Sequence, residues 1–269
     1  MNFNELDWNK LWQEACRRKS WKKKGKKEWD NRAAGFAKRN SDSDYAGKFL
    51  RLMKPKPHWR VLDIGCGPGT LALPLAGQVQ SVTAIDFSTA MLDELKKRAA
   101  QQKITNITAI QASWTDDWRA LSIPLHEAVI SSRSLSVFDL KSALEKMNDW
   151  ASEKICIADR VGSGPFDPDL FAAVGRPFAP GPDFIFTVNL LYQMGIYPRI
   201  DYIELEQTKR FSTREEALDS CRWMFDELSP SEEERLGDYV DERLVLDETG
   251  AWRLCRRTPV KWAFLSWEK

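Results

Sequence analysis

The sequence predicts an α/β fold built on a mostly parallel sheet with helices on both faces. Three observations carry that prediction. Short apolar runs recur between residues 60 and 159: RVLDI, SVTAID, NITAIQA, EAVISS and KICIAD. Helical segments separate most of them, and strands that alternate with helices join through right-handed crossovers into a parallel sheet. A glycine-rich turn, GCGPG at 65–69, directly follows the first run. That is where open parallel sheets bind ligands.

Each element has its own signal. The first 55 residues read as helical. In NELDWNKLWQEA, Leu6, Trp8, Leu11 and Trp12 have helical rather than alternating spacing. KEWDNRAAGFAKR and SDYAGKFLRLM give two further helices, and the prolines of KPKPHW end the series. TLALPLAGQ is helical if Pro74 falls in its first turn. STAMLDELKKRAAQQ places Met91, Leu92, Leu95 and Ala99 on one face behind a Ser88 cap. LKSALEKMNDWA is the helix between the fourth and fifth strands.

Residues 160–197 break the rhythm with five prolines, five glycines and the apolar segment DFIFTVNLLYQMG. RIDYIELEQ returns to alternation. FSTREEALDSCRWMF opens with Ser212 and Glu215 in capping-box register. SPSEEERLGDYV repeats the device with Ser229, Pro230 and Glu232. WRLCRR and VKWAFLSW are expected as antiparallel neighbours at the sheet edge. No internal repeat and no domain-separating linker is evident.

Composition narrows the class. The chain has 269 residues, of which 43% are apolar, enough for one large domain with a sizeable core. No apolar run approaches the ~18–20 residues of a membrane span. The start, MNFNELDWNKLW, lacks the basic-then-apolar order of a secretory signal. The five cysteines are scattered without metal-ligand or redox spacing. These features predict a cytoplasmic protein with reduced thiols and no metal. The net charge of +1 hides an asymmetry. RRKSWKKKGKK at 17–27 carries eight cations and no acid, while 213–248 carries thirteen acids against four arginines. Two solvated faces, an anion-binding arm, or an arm docked on its own acidic segment all remain open.

The glycine turn carries the chemistry. Gly65, Gly67 and Gly69 allow a sharp turn and close approach of a ligand to the backbone. Asp86 ends the second strand, where a carboxylate can accept both hydroxyls of a ribose. Asp63 precedes the loop. It would repel the pyrophosphate of a dinucleotide but suits a ligand with an ammonium group. Strand, acid, G-x-G-x-G, helix, strand and second acid together point to S-adenosylmethionine.

VLDIGCGPGT and VTAIDFSTAML resemble the first two motifs of class I S-adenosylmethionine-dependent methyltransferases of the small-molecule type. WDNRAAGFAK resembles their cofactor-closing N-terminal helix. The resemblance covers about 27–160 well and the remainder loosely. It implies a Rossmann-like, seven-stranded, mostly parallel sheet with an antiparallel C-terminal edge. Residues 1–55 would form a helical lid, and 56–269 the methyltransferase domain with a substrate-side insertion at about 160–197. Asp63, Gly65, Cys66, Gly67 and Gly69 would line the methionine and ribose side, with Cys66 structural rather than nucleophilic. Asp86 would take the ribose, and Phe87 and Met91 would flank the adenine. Ser113 stands where the family often has an adenine-binding acid, followed by Trp114. Ser131, Ser132 and Arg133 would face the methionine end.

Methyl transfer from a sulfonium needs alignment and exclusion of water more than acid or base. The fourth strand ends ISSRS, without the Asn/Asp-Pro-Pro-aromatic signature of base-amine methylation, and no Pro-Cys pair is present. A small-molecule acceptor is therefore expected, bounded by Trp29, Arg32 and Phe36 of the lid. Phe184, Phe186, Tyr192 and Met194 would form the walls from the insertion. Asp159 and Tyr192 are the candidate catalytic groups; His58 and His126 fall at the wrong ends of their strands. The alternatives are an RNA or protein methyltransferase using the 17–27 arm, a catalytically silent cofactor-binding module, and a nicotinamide-dependent oxidoreductase.

Overall fold

The computed structural model describes residues 5–20, 25–31, 33, 35, 44–205 and 208–269. A seven-stranded sheet forms the centre. Its strands are β1 (Arg60–Ile64), β2 (Ser81–Asp86), β3 (Ile107–Gln111), β4 (His126–Ser132), β5 (Ala151–Arg160), β6 (Arg199–Glu204) and β10 (Lys261–Glu268). They lie in the order β3-β2-β1-β4-β5-β10-β6. The first five are mutually parallel, and β10 runs antiparallel between β5 and β6. The strand order reverses between β1 and β4, so their carboxyl ends form the ligand crevice. Val61, Leu62 and Ile64 of β1 are all buried, as expected of a central strand covered on both faces.

Helices fill the two faces. On one lie α3 (Tyr45–Met53), α4 (Ala72–Ala76) and α5 (Thr89–Gln101). Pro74 falls in the first turn of the short α4. Ser88 caps α5, accepting from the backbone of Met91, and the predicted Met91, Leu92, Leu95 and Ala99 face is buried. On the other face lie α1 (Trp8–Arg18), α6 (Leu140–Trp150) and α8 (Phe184–Gln193). Trp12 of α1 donates its indole N–H to the Val137 carbonyl at 3.0 Å. Helix α2 (Lys26–Asp30) lies over the amino end of α5.

Three sequence expectations are corrected. WRLCRR does not pair with the last strand. It forms β9 (Trp252–Cys255) in a separate three-stranded sheet with β7 (Thr208–Phe211) and β8 (Leu244–Leu246). That sheet joins α9 (Arg214–Arg222) and α10 (Pro230–Asp241) around a third core, which also takes in α7 (Pro168–Val174). The last strand lies one in from the edge, and β6 forms the edge itself. The cap of α9 is Thr213, not Ser212: Thr213 accepts from Glu216 N, and Glu216 reaches back to Ser212 N. The Ser229–Glu232 capping box with Pro230 holds as read. No described helix is long and apolar enough to cross a membrane.

Candidate active site

The loop after β1 is held by backbone before it can hold anything else. Gly65 N and Cys66 N both donate to the Ile85 carbonyl, at 2.8 and 3.0 Å. Gly65, Gly67 and Gly69 have φ of 69°, 54° and 83°, a region that penalises any side chain. The three glycines then differ. A Cβ on Gly65 would lie 2.4 Å from Ser134 Cβ, and one on Gly69 would lie 2.4 Å from Leu95 Cδ1. On Gly67 the nearest atom would be Met91 Sδ, at 4.0 Å. Gly65 and Gly69 make room for the protein, and Gly67 leaves room for a ligand.

Two carboxylates flank that opening. Asp86 accepts from Gly67 N through Oδ2 at 2.9 Å and from Ser88 N through Oδ1 at 2.8 Å. It locks the loop while keeping lone pairs for hydroxyl donors. Its pKa is raised, chiefly by burial, with nearby Asp30 adding to the effect. Asp30 accepts from Ser88 Oγ at 2.5 Å and from Ala90 N at 3.3 Å. The acid of α2 thus sits on the positive end of α5. Asp63 is 2% exposed, and its Oδ2 has no hydrogen-bond partner among the described residues. Burial, then Asp86, pushes its pKa up to about 7; the Ala72 amide acts against them. A buried carboxylate oxygen without a donor is costly unless a ligand supplies one.

The fourth strand brings in the other side. Ser131 bonds Ser134 Oγ at 2.7 Å, and Ser134 donates to the Ile64 carbonyl at 2.7 Å. Ser131 is therefore fully buried under the loop and does not line the cleft as expected. Ser132 does, and its hydroxyl meets Tyr45 Oη at 2.6 Å. Arg133 also lines it, with its guanidinium over the Tyr45 ring at 4.2 Å.

Of the remaining cofactor-side residues, Gly65, Cys66, Gly67, Phe87, Met91, Ser113 and Trp114 line the cleft, and Gly69 does not, because it is packed against Leu73 and Leu95. The Cys66 thiol pKa is pushed well up by burial and then by the two aspartates, which suits a structural group and not a nucleophile. Ser113 Oγ pairs with Thr115, and Trp114 Nε1 donates to the Ser134 carbonyl.

Comparison with known proteins fits this geometry. The family model described as a methyltransferase domain matches residues 61–153, which run from β1 to the start of β5. An uncharacterized protein of Haemophilus influenzae is 32% identical over 242 residues, 89% of this chain and 88% of its own length. Residues 61–153 form a methyltransferase domain, on a Rossmann-like fold of the class I type. Aklanonic acid methyltransferase DauC of Streptomyces sp. strain C5 is 30% identical over 140 residues, 51% of this chain and 60% of its own length. A methyltransferase candidate from Bacillus halodurans C-125 shares the fold, with a TM-score of 0.56 at 13% identity over 83% of this chain and 98% of its own. The unpartnered Asp63 oxygen suits the ammonium of S-adenosylmethionine, and the open face of Gly67 suits its backbone-hugging chain.

The acceptor side of the methyltransferase differs from expectation. Phe184 is buried, edge-on to Tyr202. Phe186 packs edge-on to Trp8 and Trp12, and Met194 joins the same core. These residues seat α1 and do not line the cleft. Tyr192 is half exposed against Tyr197 at the far end of α8, so it is no catalytic candidate. Trp29 does line the cleft; Arg32 and Phe36 lie outside the described residues. Asp159 lines it too, accepting from Thr187 Oγ1 and Arg160 N at 2.7 Å each. Burial raises its pKa. His126 is buried at the amino end of β4 against Thr83, its pKa lowered to about 4 by burial.

Sequence reading missed the outer wall, which Phe166, Phe171, Phe211, Trp223 and Phe225 supply from the 160–183 segment and the 205–260 unit. The usable signal was length. More than fifty residues separate RIDYIE from KWAFLSWE, far beyond the 2–5 of an ordinary hairpin loop.

Proposed function

We propose that the enzyme methylates a small molecule. The observation that carries this reading is the cleft of about 2850 Å3, several times the ~300–1,000 Å3 of a single small-molecule site. It runs from the glycine loop past the ends of β4 and β5 to aromatic side chains of the 205–260 unit. A donor and a small acceptor both fit such a space. S-adenosylmethionine, when bound, supplies an activated methyl group. The chain's own work is to hold ribose and ammonium through Asp86 and Asp63, to exclude water with the aromatic wall, and to align the acceptor. Asp159 is the candidate base for an acceptor that arrives protonated. An acceptor already ionised needs none.

The basic arm gives this reading its competitor. Arg17 stacks on Phe138 at 5.1 Å, and both Arg17 and Lys19 reach the cleft rim. The test is production of S-adenosylhomocysteine from S-adenosylmethionine with a size-filtered metabolite extract, with total RNA, and with a protein fraction. Turnover is expected with the metabolites alone. Turnover with RNA that falls steeply with salt would replace the reading.

A further inference from the structure

We infer that the indole N–H of Trp262 is a hydrogen-bond donor to the methyl acceptor, which therefore carries a lone-pair oxygen, such as a carbonyl, where it meets β10. This deepens the small-molecule reading above and rests on it. The first support is an unmet bond. Trp262 lines the cleft and is 7% exposed. Its Nε1 is buried with no hydrogen-bond partner among the described residues. Of the described residues along the cleft, only Asp63 and Arg256 share that property, and Arg256 Nε faces Asp167 Oδ2 at 3.4 Å. A buried indole N–H ordinarily finds an acceptor, and leaving it without one is costly.

The surroundings of this N–H hold donors and committed acceptors. Arg160 is its neighbour across the β5–β10 ladder, and the Arg133 guanidinium lies 5.8 Å from the ring. A guanidinium has no lone pair to offer. Tyr45 stands edge-on at 6.4 Å, with its hydroxyl bonded to Ser132. The Val260 carbonyl takes Leu205 N at 3.0 Å. The Glu204 carbonyl takes Lys48 and its carboxylate takes Lys261, at 2.7 Å each. The missing lone pair has to come from a molecule in the cleft.

The second support is position. Trp262 sits level with the carboxyl end of β5, opposite Arg160. The strand order β1-β4-β5-β10 puts it three strands from Asp63, roughly 14 Å away at the usual strand spacing. A donor held by Asp63 and Asp86 lies over β1 and β2, so this N–H falls to the acceptor. Asp159, the candidate base, pairs with Ala263 and points to the opposite face, where Thr187 holds it. A molecule resting on the end of β5 can thus meet a donor on one face and a base on the other.

Proton–nitrogen spectra of isotope-labelled protein resolve the indole N–H groups. The Trp262 signal is identified by its loss in Trp262→Phe, or in Trp262→Tyr should the first variant not fold. In the complex with S-adenosylhomocysteine it should lie at the high-field position of an unbonded indole. Adding the size-filtered metabolite fraction that supports turnover should move it downfield. W262F should lose roughly tenfold or more in turnover at limiting amounts of that fraction. Its affinity for S-adenosylhomocysteine should stay within about twofold of wild type.

A signal already downfield in the S-adenosylhomocysteine complex would reveal a partner within the protein and overturn the inference. So would a signal upfield of all unbonded indoles, which would lay the N–H against the Tyr45 ring. Turnover that leaves the signal in place, or wild-type turnover by W262F, would overturn it too. Loss of S-adenosylhomocysteine affinity would assign Trp262 to the donor instead. If RNA and not the metabolite fraction supports turnover, the small-molecule reading falls. A downfield shift on adding RNA would then keep Trp262 as the acceptor's hydrogen-bond donor, and no shift would remove both.

Discussion

The donor half and the acceptor half of the cleft are made from different kinds of sequence. The donor half comes from one stretch, residues 60–133, in which each side chain is placed by the strand end or turn beside it. The acceptor half is assembled from α1, the 160–183 segment and the 205–260 unit, which meet only through tertiary packing. Ser20 is tied to Ala179 by hydrogen bonds in both directions. Arg160 donates to the carbonyls of Pro180 and Pro182. Local geometry fixes the first half and long-range closure the second, so the two should fail differently when perturbed.

The largest expected effect separates two glycines of one loop. Gly65→Ala meets both a left-handed backbone and Ser134 at 2.4 Å. It should lower stability by about 2–5 kcal/mol, the sum of backbone strain and overpacking. Gly67→Ala meets the backbone term with only an ordinary contact to Met91 Sδ at 4.0 Å, so it should lower stability by about 1 kcal/mol. Its added methyl should weaken S-adenosylhomocysteine binding by roughly 5- to 150-fold, the equivalent of 1–3 kcal/mol of overpacking. Denaturant unfolding and calorimetry on both variants check this. Equal destabilisation, or Gly67→Ala binding like wild type, would mean that the loop is shaped for packing alone.

A second perturbation acts through pH. The Asp63 carboxyl titrates at about 7 in the folded chain against an ordinary 3.8. Between those values the folded protein binds a proton that the unfolded chain has released. Stability without cofactor should therefore fall as pH rises from about 4 to 7 and then level. The drop is on the order of 2–4 kcal/mol. Asp63→Asn should flatten that part of the curve and make the protein more stable at pH 8. It should bind S-adenosylhomocysteine more weakly there, having lost the charge opposite the ammonium. In the wild type the affinity should rise from pH 6 to 8, by about tenfold. A flat wild-type curve would mean that Asp63 is not the buried, ligand-facing acid.

What could be read in the sequence follows the same division. The Ser88 cap, the buried face of α5, both strand-end aspartates and the alternation of strands and helices that makes β1–β5 parallel were legible because each is a short-range pattern. The larger misplacements were non-local. DFIFTVNLLYQMG is as apolar as a pocket wall would be, yet it faces Trp8 and Trp12, which no periodicity in either segment could pair. WRLCRR reads as a strand, but its partner is chosen by the closure of β7 and β8 around it. Ser131 and Ser132 are adjacent and alike, and strand alternation sends only the second to the cleft.

The smallest expected effect tests whether the halves are energetically separate. Tyr239 donates to Asp167 Oδ2 at 2.9 Å, and Arg256 lies 3.4 Å from the same oxygen. Arg256 also donates to the carbonyls of Pro165 and Phe166. This cluster joins α7 to α10 and fastens the outer wall to the loop before α7. Tyr239→Phe removes one hydrogen bond to a carboxylate and creates no cavity, so about 1.5 kcal/mol should be lost. If the 205–260 unit opens as its own cooperative unit, hydrogen exchange should quicken in α9, α10 and β7–β9 while β1–β4 keep their protection. S-adenosylhomocysteine affinity should not change. If exchange instead quickens equally throughout and affinity falls with it, the wall and the glycine loop belong to one cooperative structure. The acceptor would then be felt at the donor site through the fold and not only across the cleft.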